Sequence, residues 1–153
     1  MTIHLSESEA RRRISFTCYC KPQPQGSSRA FIPKGWKRPV ITSDNPGLKS
    51  FRQEVSQSAL VARQQAGSND LIFGKHEAVE IKLAFYFQRP PSIPKKRDRH
   101  VVKPDLSKLI RAAEDSLTGI IFNDDAQIVK IESEKHYGQP ERVEIVVHGV
   151  DAT

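Results

Sequence analysis

The sequence predicts an α+β fold: a single domain in which a mixed or antiparallel β-sheet packs against two main helices. Three observations lead there. Runs rich in β-branched and aromatic residues occur at 14–20, 78–87, 127–135 and 142–148. Two other stretches, near 48–65 and 105–118, repeat their apolar residues at helical spacing. The chain has 153 residues, which suits one domain that can bury a core without disulfides or a structural metal.

Taken in order, residues 1–13 are polar, end in Ala-Arg-Arg-Arg and read as a flexible basic arm ahead of a domain over 14–150. Ile14-Ser-Phe-Thr-Cys-Tyr-Cys20 alternates as a strand does. Cys18 and Cys20 then share a face, a spacing that suits neither an easy disulfide nor, without further ligands, a zinc site. They read as buried thiols of a reducing cytosol. Lys21–Ser28 carries two prolines and a glycine and reads as a loop. Short strands are expected at 29–33 and 39–42, around a Lys34–Arg38 turn.

Asp44 or Asn45 before a proline marks a helix start. Leu48, Phe51, Val55, Ala59 and Ala62 form its apolar stripe to about Gln65, with Gly67 as the stop. Ala78–Phe87 reads as a buried strand. Gln88–Pro104 is a proline-punctuated loop carrying Lys95-Lys-Arg-Asp-Arg-His100. Leu106, Leu109, Ile110, Ala113 and Leu117 fall on one face of the second helix, closed by Thr118-Gly119. Asn123–Asp125 turns the chain into the last two strands, which are joined through His136–Pro140.

Charge narrows the function. Lys plus Arg outnumber Asp plus Glu, 24 to 18, a net +6 that favours anionic partners, nucleic acid first. Neither a signal-peptide core nor an apolar run long enough to span a bilayer is present, so a cytoplasmic protein with no membrane partner is expected.

Against that basic background, carboxylates gather at both ends of the second helix. Asp105 alone is an ordinary N-cap, and Asn123-Asp124-Asp125 alone is ordinary turn chemistry. The helix is about 20 Å long, so Asp105 and Asp125 meet only if residues 120–127 double back beside it. Carboxylates brought together repel, and Mg²⁺ or Mn²⁺ relieves that repulsion by taking oxygen ligands. Lys95, Lys96, Arg97 and Arg99 lead straight to Asp105, as cations bound for a phosphate backbone would. Lys34, Lys37 and Arg38, beside Trp36 and Phe31, form a second basic and aromatic group, and Arg29 follows a glycine loop that offers amides to phosphate. Core packing is expected for at least one of the two aromatics. His100 reads as a surface side chain of the basic loop. Glu80-Ile-Lys82 with Pro104-Asp105 holds the parts of a different nuclease signature, but in reversed order, and reads as ordinary strand.

The stretch Pro104-Asp-Leu-Ser-Lys-Leu-Ile-Arg-Ala-Ala-Glu-Asp-Ser-Leu-Thr-Gly, followed by Asn123-Asp-Asp-Ala-Gln-Ile-Val, resembles the RusA family of Holliday junction resolvases. The resemblance implies a homodimeric, Mg²⁺-dependent endodeoxyribonuclease that cuts four-way DNA junctions in recombination and repair, often encoded by a phage or prophage. Position by position, Asp105, Asp124 and Asp125 match family aspartates and become the metal ligands, with Mn²⁺ as a substitute ion. Asp115 matches the aspartate within the helix. Lys135 falls where the family can carry a lysine on the following strand. Two positions depart. Ser107 stands where the family has its second aspartate, and Arg111 stands in place of its lysine. A serine hydroxyl is a weak, neutral ligand. Arginine clamps phosphate but cannot act as a general acid or base. Arg111, Lys108 or Lys135 is then expected to stabilise the phosphate charge in a reaction centred on Asp105 and Asp125. Glu114 follows Arg111 at helical spacing, where a salt bridge between them is the plain expectation. The other reading of Ser107 is a junction-binding protein that has lost catalysis.

Overall fold

The computed structural model describes residues 13–26, 28–43 and 45–150. Of the expected N-terminal arm, Arg13 opens the first strand and residues 1–12 lie outside the described residues, as does Asp44. The elements are β1 (Arg13–Cys18), β2 (Ser28–Phe31), β3 (Val40–Ser43), α1 (Leu48–Gln65), β4 (Val79–Phe87), α2 (Leu106–Leu117), a short 3-10 turn (Asp125–Gln127), β5 (Ile128–Tyr137) and β6 (Arg142–Gly149). Four strands form one sheet in the order β1-β6-β4-β5, and β2 pairs with β3 as a separate hairpin around the Lys34–Arg38 turn. This is the expected α+β domain. Its sheet is mixed: β4 pairs antiparallel with β6 and parallel with β5.

β4 is central because alternate residues Val79, Ile81, Leu83, Phe85 and Phe87 are all buried. Val143, Ile145 and Val147 of β6 continue that surface. Both helices cover it. Phe51, Val55 and Ala59 of α1 and Leu109, Ala112, Ala113 and Leu117 of α2 are buried there. The opposite side of the sheet carries Glu80, Lys82, Lys130, Glu132 and Glu134, so the molecule has two layers with one sheet face toward water. Lys82 and Lys130 pair with Glu132 there, at 3.7 and 3.3 Å.

The helix termini refine the sequence reading. α1 starts at Leu48, after Gly47, with no side-chain cap. Asn45 instead accepts from the Gly47 N–H at 3.1 Å and donates to the Pro24 carbonyl at 2.6 Å, pinning the 21–26 loop. α2 ends where expected, with Gly119 at φ +84° supplying the left-handed turn after Thr118. The buried stripe of α2 includes Ala112 and Ser116, while Leu106 and Ile110 sit at its margin. Ser116 is tolerated in the core because its hydroxyl donates to the Ala112 carbonyl at 2.7 Å.

α2 is the crossover between two parallel strands. It must therefore run against their direction. Its start lies by the end of β5, where Lys135 Nζ donates to the Val102 and Pro104 carbonyls at 2.6 and 3.0 Å. Its end lies by the loop into β4, where the Ile121 carbonyl accepts from the Ile72 and Phe73 amides, both at 3.0 Å. β5 is left as the edge of the sheet, with Val129 and Ile131 62% and 39% exposed.

Candidate active site

The double-aspartate corner is built by one buried side chain. Gln127 accepts from the Asn123 and Asp124 amides, each at 2.9 Å, and donates to the Gly74 and Glu77 carbonyls at 2.7 and 3.0 Å. The corner is thereby tied to the loop entering β4. Asp124 Oδ1 accepts from the Ala126 N–H at 2.9 Å, completing a reciprocal cap. That amide, and then a hydrogen bond with Asp125, hold the Asp124 carboxyl below its usual range. The same hydrogen bond leads in pushing Asp125 up, with smaller contributions from burial and from the charges of Asp124 and Asp115.

The last turns of α2 face this corner. Glu114 is partly buried, and its carboxyl is raised chiefly by that burial, then by Asp125 and Asp115, against the opposing pull of Arg111. Asp115 is bound instead by Arg52 of α1, at 2.5 Å, and Arg52 also donates to Gln25 Oε1 at 2.5 Å. Glu114, Asp124 and Asp125 thus lie near one end of α2, with Asp115 beside them in its ion pair with Arg52.

Asp105 is at the other end. Its backbone caps α2 by accepting from the Lys108 and Leu109 amides, both at 3.2 Å, but its carboxylate makes no capping bond. The exposed carboxylate lines a cleft with Lys108, Lys103, Pro24, Gln25 and Gly26. The Gln25 N–H donates to the Lys108 carbonyl at 2.9 Å, docking the loop on the helix. Lys135 holds the backbone just before Asp105 through its two carbonyl contacts. Ser107, Arg111 and Glu114 recur at i, i+4 and i+7 and share a side of α2; Ser107 and Arg111 are exposed. Ten residues of chain part Asp105 from Asp115, about 15 Å along the axis at 1.5 Å per residue. Carboxylates are the right donors for Mg²⁺. Among the described residues, however, no group of three or more His, Cys, Asp or Glu side chains is placed within one chain to hold a metal ion.

Lys95, Lys96, Arg97 and Arg99 are exposed on the loop before Asp105. Arg89 shapes that loop by donating to the Pro94 and Arg97 carbonyls. Lys34, Lys37 and Arg38 are exposed in the β2–β3 turn, while the Arg29 side chain lies outside the described ones. Phe31 and Trp36 are both exposed, at 49% and 63%, so neither takes the expected core position. Among the described residues no helix packs over the short two-stranded hairpin to bury them. His100 also departs from expectation. It is buried between Phe87 and Tyr137, with ring centroids 4.8 and 4.7 Å away. The apolar end of β4 needed a flat partner, which a reading of the basic run alone does not reveal. Arg52 and Gln25 were not anticipated, since long-range pairing of two polar residues leaves no local pattern. Gln127 had a signal in its spacing after Asn123-Asp124, that of a capping box.

The family model described as Endodeoxyribonuclease RusA matches residues 21–148, which is most of the chain. The chain is also 32% identical over 149 residues to the Bacillus subtilis (strain 168) protein named "Uncharacterized protein YqaN", covering 91% of this chain and 98% of that one. Among the described residues no helix is long and apolar enough to cross a membrane.

The raised Glu114 carboxyl has a stability consequence. A carboxyl whose folded-state value lies above its unfolded one favours the fold when protonated, and that contribution is lost as pH rises through the folded value. Glu114→Gln, neutral at every pH, should melt roughly 1–3 °C above wild type at pH 7. The gap should close below about pH 4, where the wild-type group is protonated in both states. Calorimetry across that range checks it, and a gap independent of pH would contradict the assignment.

Proposed function

The chain belongs to the RusA family of endodeoxyribonucleases, and from that premise we propose that it cuts branched DNA, four-way junctions above all, with Mg²⁺ or Mn²⁺ as cofactor. The observation that carries this reading is the crowding of Glu114, Asp115, Asp124 and Asp125 at one end of α2 in a protein of net charge +6. After burial, Asp125 pushes the Glu114 carboxyl up there, the mark of repulsion between them. A divalent cation relieves it. Work on chromosomal or phage DNA in recombination and repair would place the protein in the cytoplasm.

The division of Asp105 from Asp125 along α2 bears on how such a site is completed. Asp115 is engaged by Arg52 and Asp124 by the Ala126 amide, so one chain offers Asp125 few further ligands. A two-fold homodimer offers more. Among the described residues nothing pairs with the outer edge of β5, a ten-residue strand whose exposed residues include Ile131. Such an edge invites a second strand. Antiparallel self-pairing centred on Ile131 sets Ile131 against its copy and Lys130 against the partner's Glu132, twice over. Centring one residue either way opposes Lys130 or Glu132 to its own copy, which costs energy. The favoured register carries the partner's Lys135 to the neighbourhood of Gln127. With it comes the start of the partner's α2, so that the partner's Asp105 approaches Asp125 and Glu114.

Magnesium held there would supply a polarised water and neutralise charge on the attacked phosphate. Asp125 and the partner's Asp105 would be its ligands, with Asp124 fixing the corner. Arg111 and Lys108 would donate to the phosphate. Lys135 would act as a positioning residue through its carbonyl contacts. Lys95, Lys96, Arg97 and Arg99, with Arg29, Lys34, Lys37 and Arg38, would follow the DNA backbone. Two equivalent sites related by a two-fold suit the paired symmetric cuts that a junction requires.

Wild type should nick a synthetic four-way junction in Mg²⁺, and Asp125→Asn should lose more than about a hundredfold of that rate while still binding. Binding with no cleavage by wild type at any metal concentration would instead favour a protein disarmed at Ser107.

The dimer has its own test. Lys130→Glu should weaken self-association at least about tenfold, like charges then facing each other. The double exchange Lys130→Glu with Glu132→Lys should restore it. Sedimentation without DNA reads both, and a monomeric wild type, or no rescue, would contradict the register.

A further inference from the structure

Cys18 closes β1 and Cys20 follows in a bend, with Tyr19 between them turned to solvent. The bend turns the two thiols together, and their sulfurs are 3.4 Å apart. An ideal strand would hold i and i+2 side chains parallel, as the sequence reading supposed. Cys18 is largely enclosed but lines an open cleft against α1, together with Ser50, Glu54, Gln57 and Ser58. Cys20 is partly exposed. The hydrogen bond between the two sulfurs brings the Cys18 thiol down to about 7, against the opposing effect of its burial. The same pairing pushes Cys20 up, with burial adding to it. Two sulfurs in contact, one of them lining a cleft, have the arrangement of an attacking and a resolving cysteine.

We propose that Cys18 and Cys20 are a redox modification site: a peroxide oxidises them to a disulfide, and a dithiol reduces it back. In the first step Cys18 sulfur attacks one peroxide oxygen, the O–O bond breaks, and the departing hydroxide takes a proton and leaves as water. Cys18 is then a sulfenic acid. In the second step Cys20 sulfur attacks the Cys18 sulfur, the S–O bond breaks, and hydroxide leaves with the Cys20 proton as a second water. The two sulfurs give up two electrons in all, and the peroxide accepts them. A dithiol returns both electrons and both protons and becomes a disulfide itself.

The bond acts on the neighbouring loop. Closing the sulfurs from 3.4 Å to the roughly 2.05 Å of a disulfide displaces Cys20 and the root of the 21–26 segment. That segment is held at Pro24 by Asn45 and at Gln25 by Lys108 and Arg52. Oxidation therefore loosens the Gln25 amide from the Lys108 carbonyl. The proposal stands apart from the junction reading and is tested without DNA.

Folded wild type is treated with stoichiometric hydrogen peroxide and followed by intact mass and by amide exchange. The expected product is the loss of two hydrogens, mapped to a peptide linking Cys18 to Cys20 and reversed by dithiothreitol. Cys20→Ser should instead gain one oxygen at Cys18, trapped by dimedone. The Gln25 amide should exchange at least tenfold faster in the oxidised protein. Two outcomes overturn the proposal: both thiols still titrating after peroxide, or a disulfide that leaves Gln25 exchange unchanged. Oxidation no faster in the folded protein than in urea also overturns it, since the folded contact is what the proposal relies on.

Discussion

The parallel pairing of β4 with β5 governs everything else in the molecule. Parallel neighbours cannot be joined by a hairpin, so the chain must cross back over the sheet, and α2 is that crossing. The helix then runs opposite to both strands. Whatever stands at its start lies by their far ends, and whatever follows it lies by their beginnings. Asp105 and Asp125 are therefore separated by topology before any side chain is placed. The doubling back that the sequence reading required does occur, as β5, but it starts at Ile128, after the aspartates rather than before them.

Each end of the crossing is secured by one long polar side chain. At the far end Lys135 spends its ammonium on the Val102 and Pro104 carbonyls and fixes the approach to Asp105. At the near end Gln127 satisfies two amides and two carbonyls at once. Leaving a buried backbone group without a partner costs about 1–3 kcal/mol, so Gln127 has more influence on the aspartate corner than either aspartate has on itself. The acidic side chains can then repel one another without distorting the backbone that carries them. Arg52 limits the repulsion by taking Asp115, and it ties α1, α2 and the 21–26 loop together at one guanidinium.

Much of this was legible in the sequence because it is periodic or local. The apolar stripe of Leu109, Ala113 and Leu117, the Gly119 stop and the alternation of Val79 through Phe87 each rest on spacing within one element. So does the aspartate corner. What could not be read were facts of pairing between distant segments. Nothing in Val79–Phe87 or Ile128–Tyr137 alone says that the two lie parallel. Arg52 finding Asp115, and His100 sliding between Phe87 and Tyr137, are likewise set by how the layers close. The exposed Trp36 and Phe31 misled for a related reason: an aromatic residue signals core only where another layer exists to cover it.

If the crossover keeps Asp105 and Asp125 apart within a chain, a second copy must bring them together, and subunit mixing tests that claim most directly. Asp105→Asn and Asp125→Asn chains are prepared separately, each inactive on a four-way junction in Mg²⁺, then exchanged into mixed dimers. A site shared between chains leaves one of the two sites in each mixed dimer with both aspartates intact, so junction-nicking activity should reappear on mixing. If each site were built within a single chain, every mixed dimer would carry one defect per site. Activity that stays at the level of the separate variants after confirmed exchange would contradict the account.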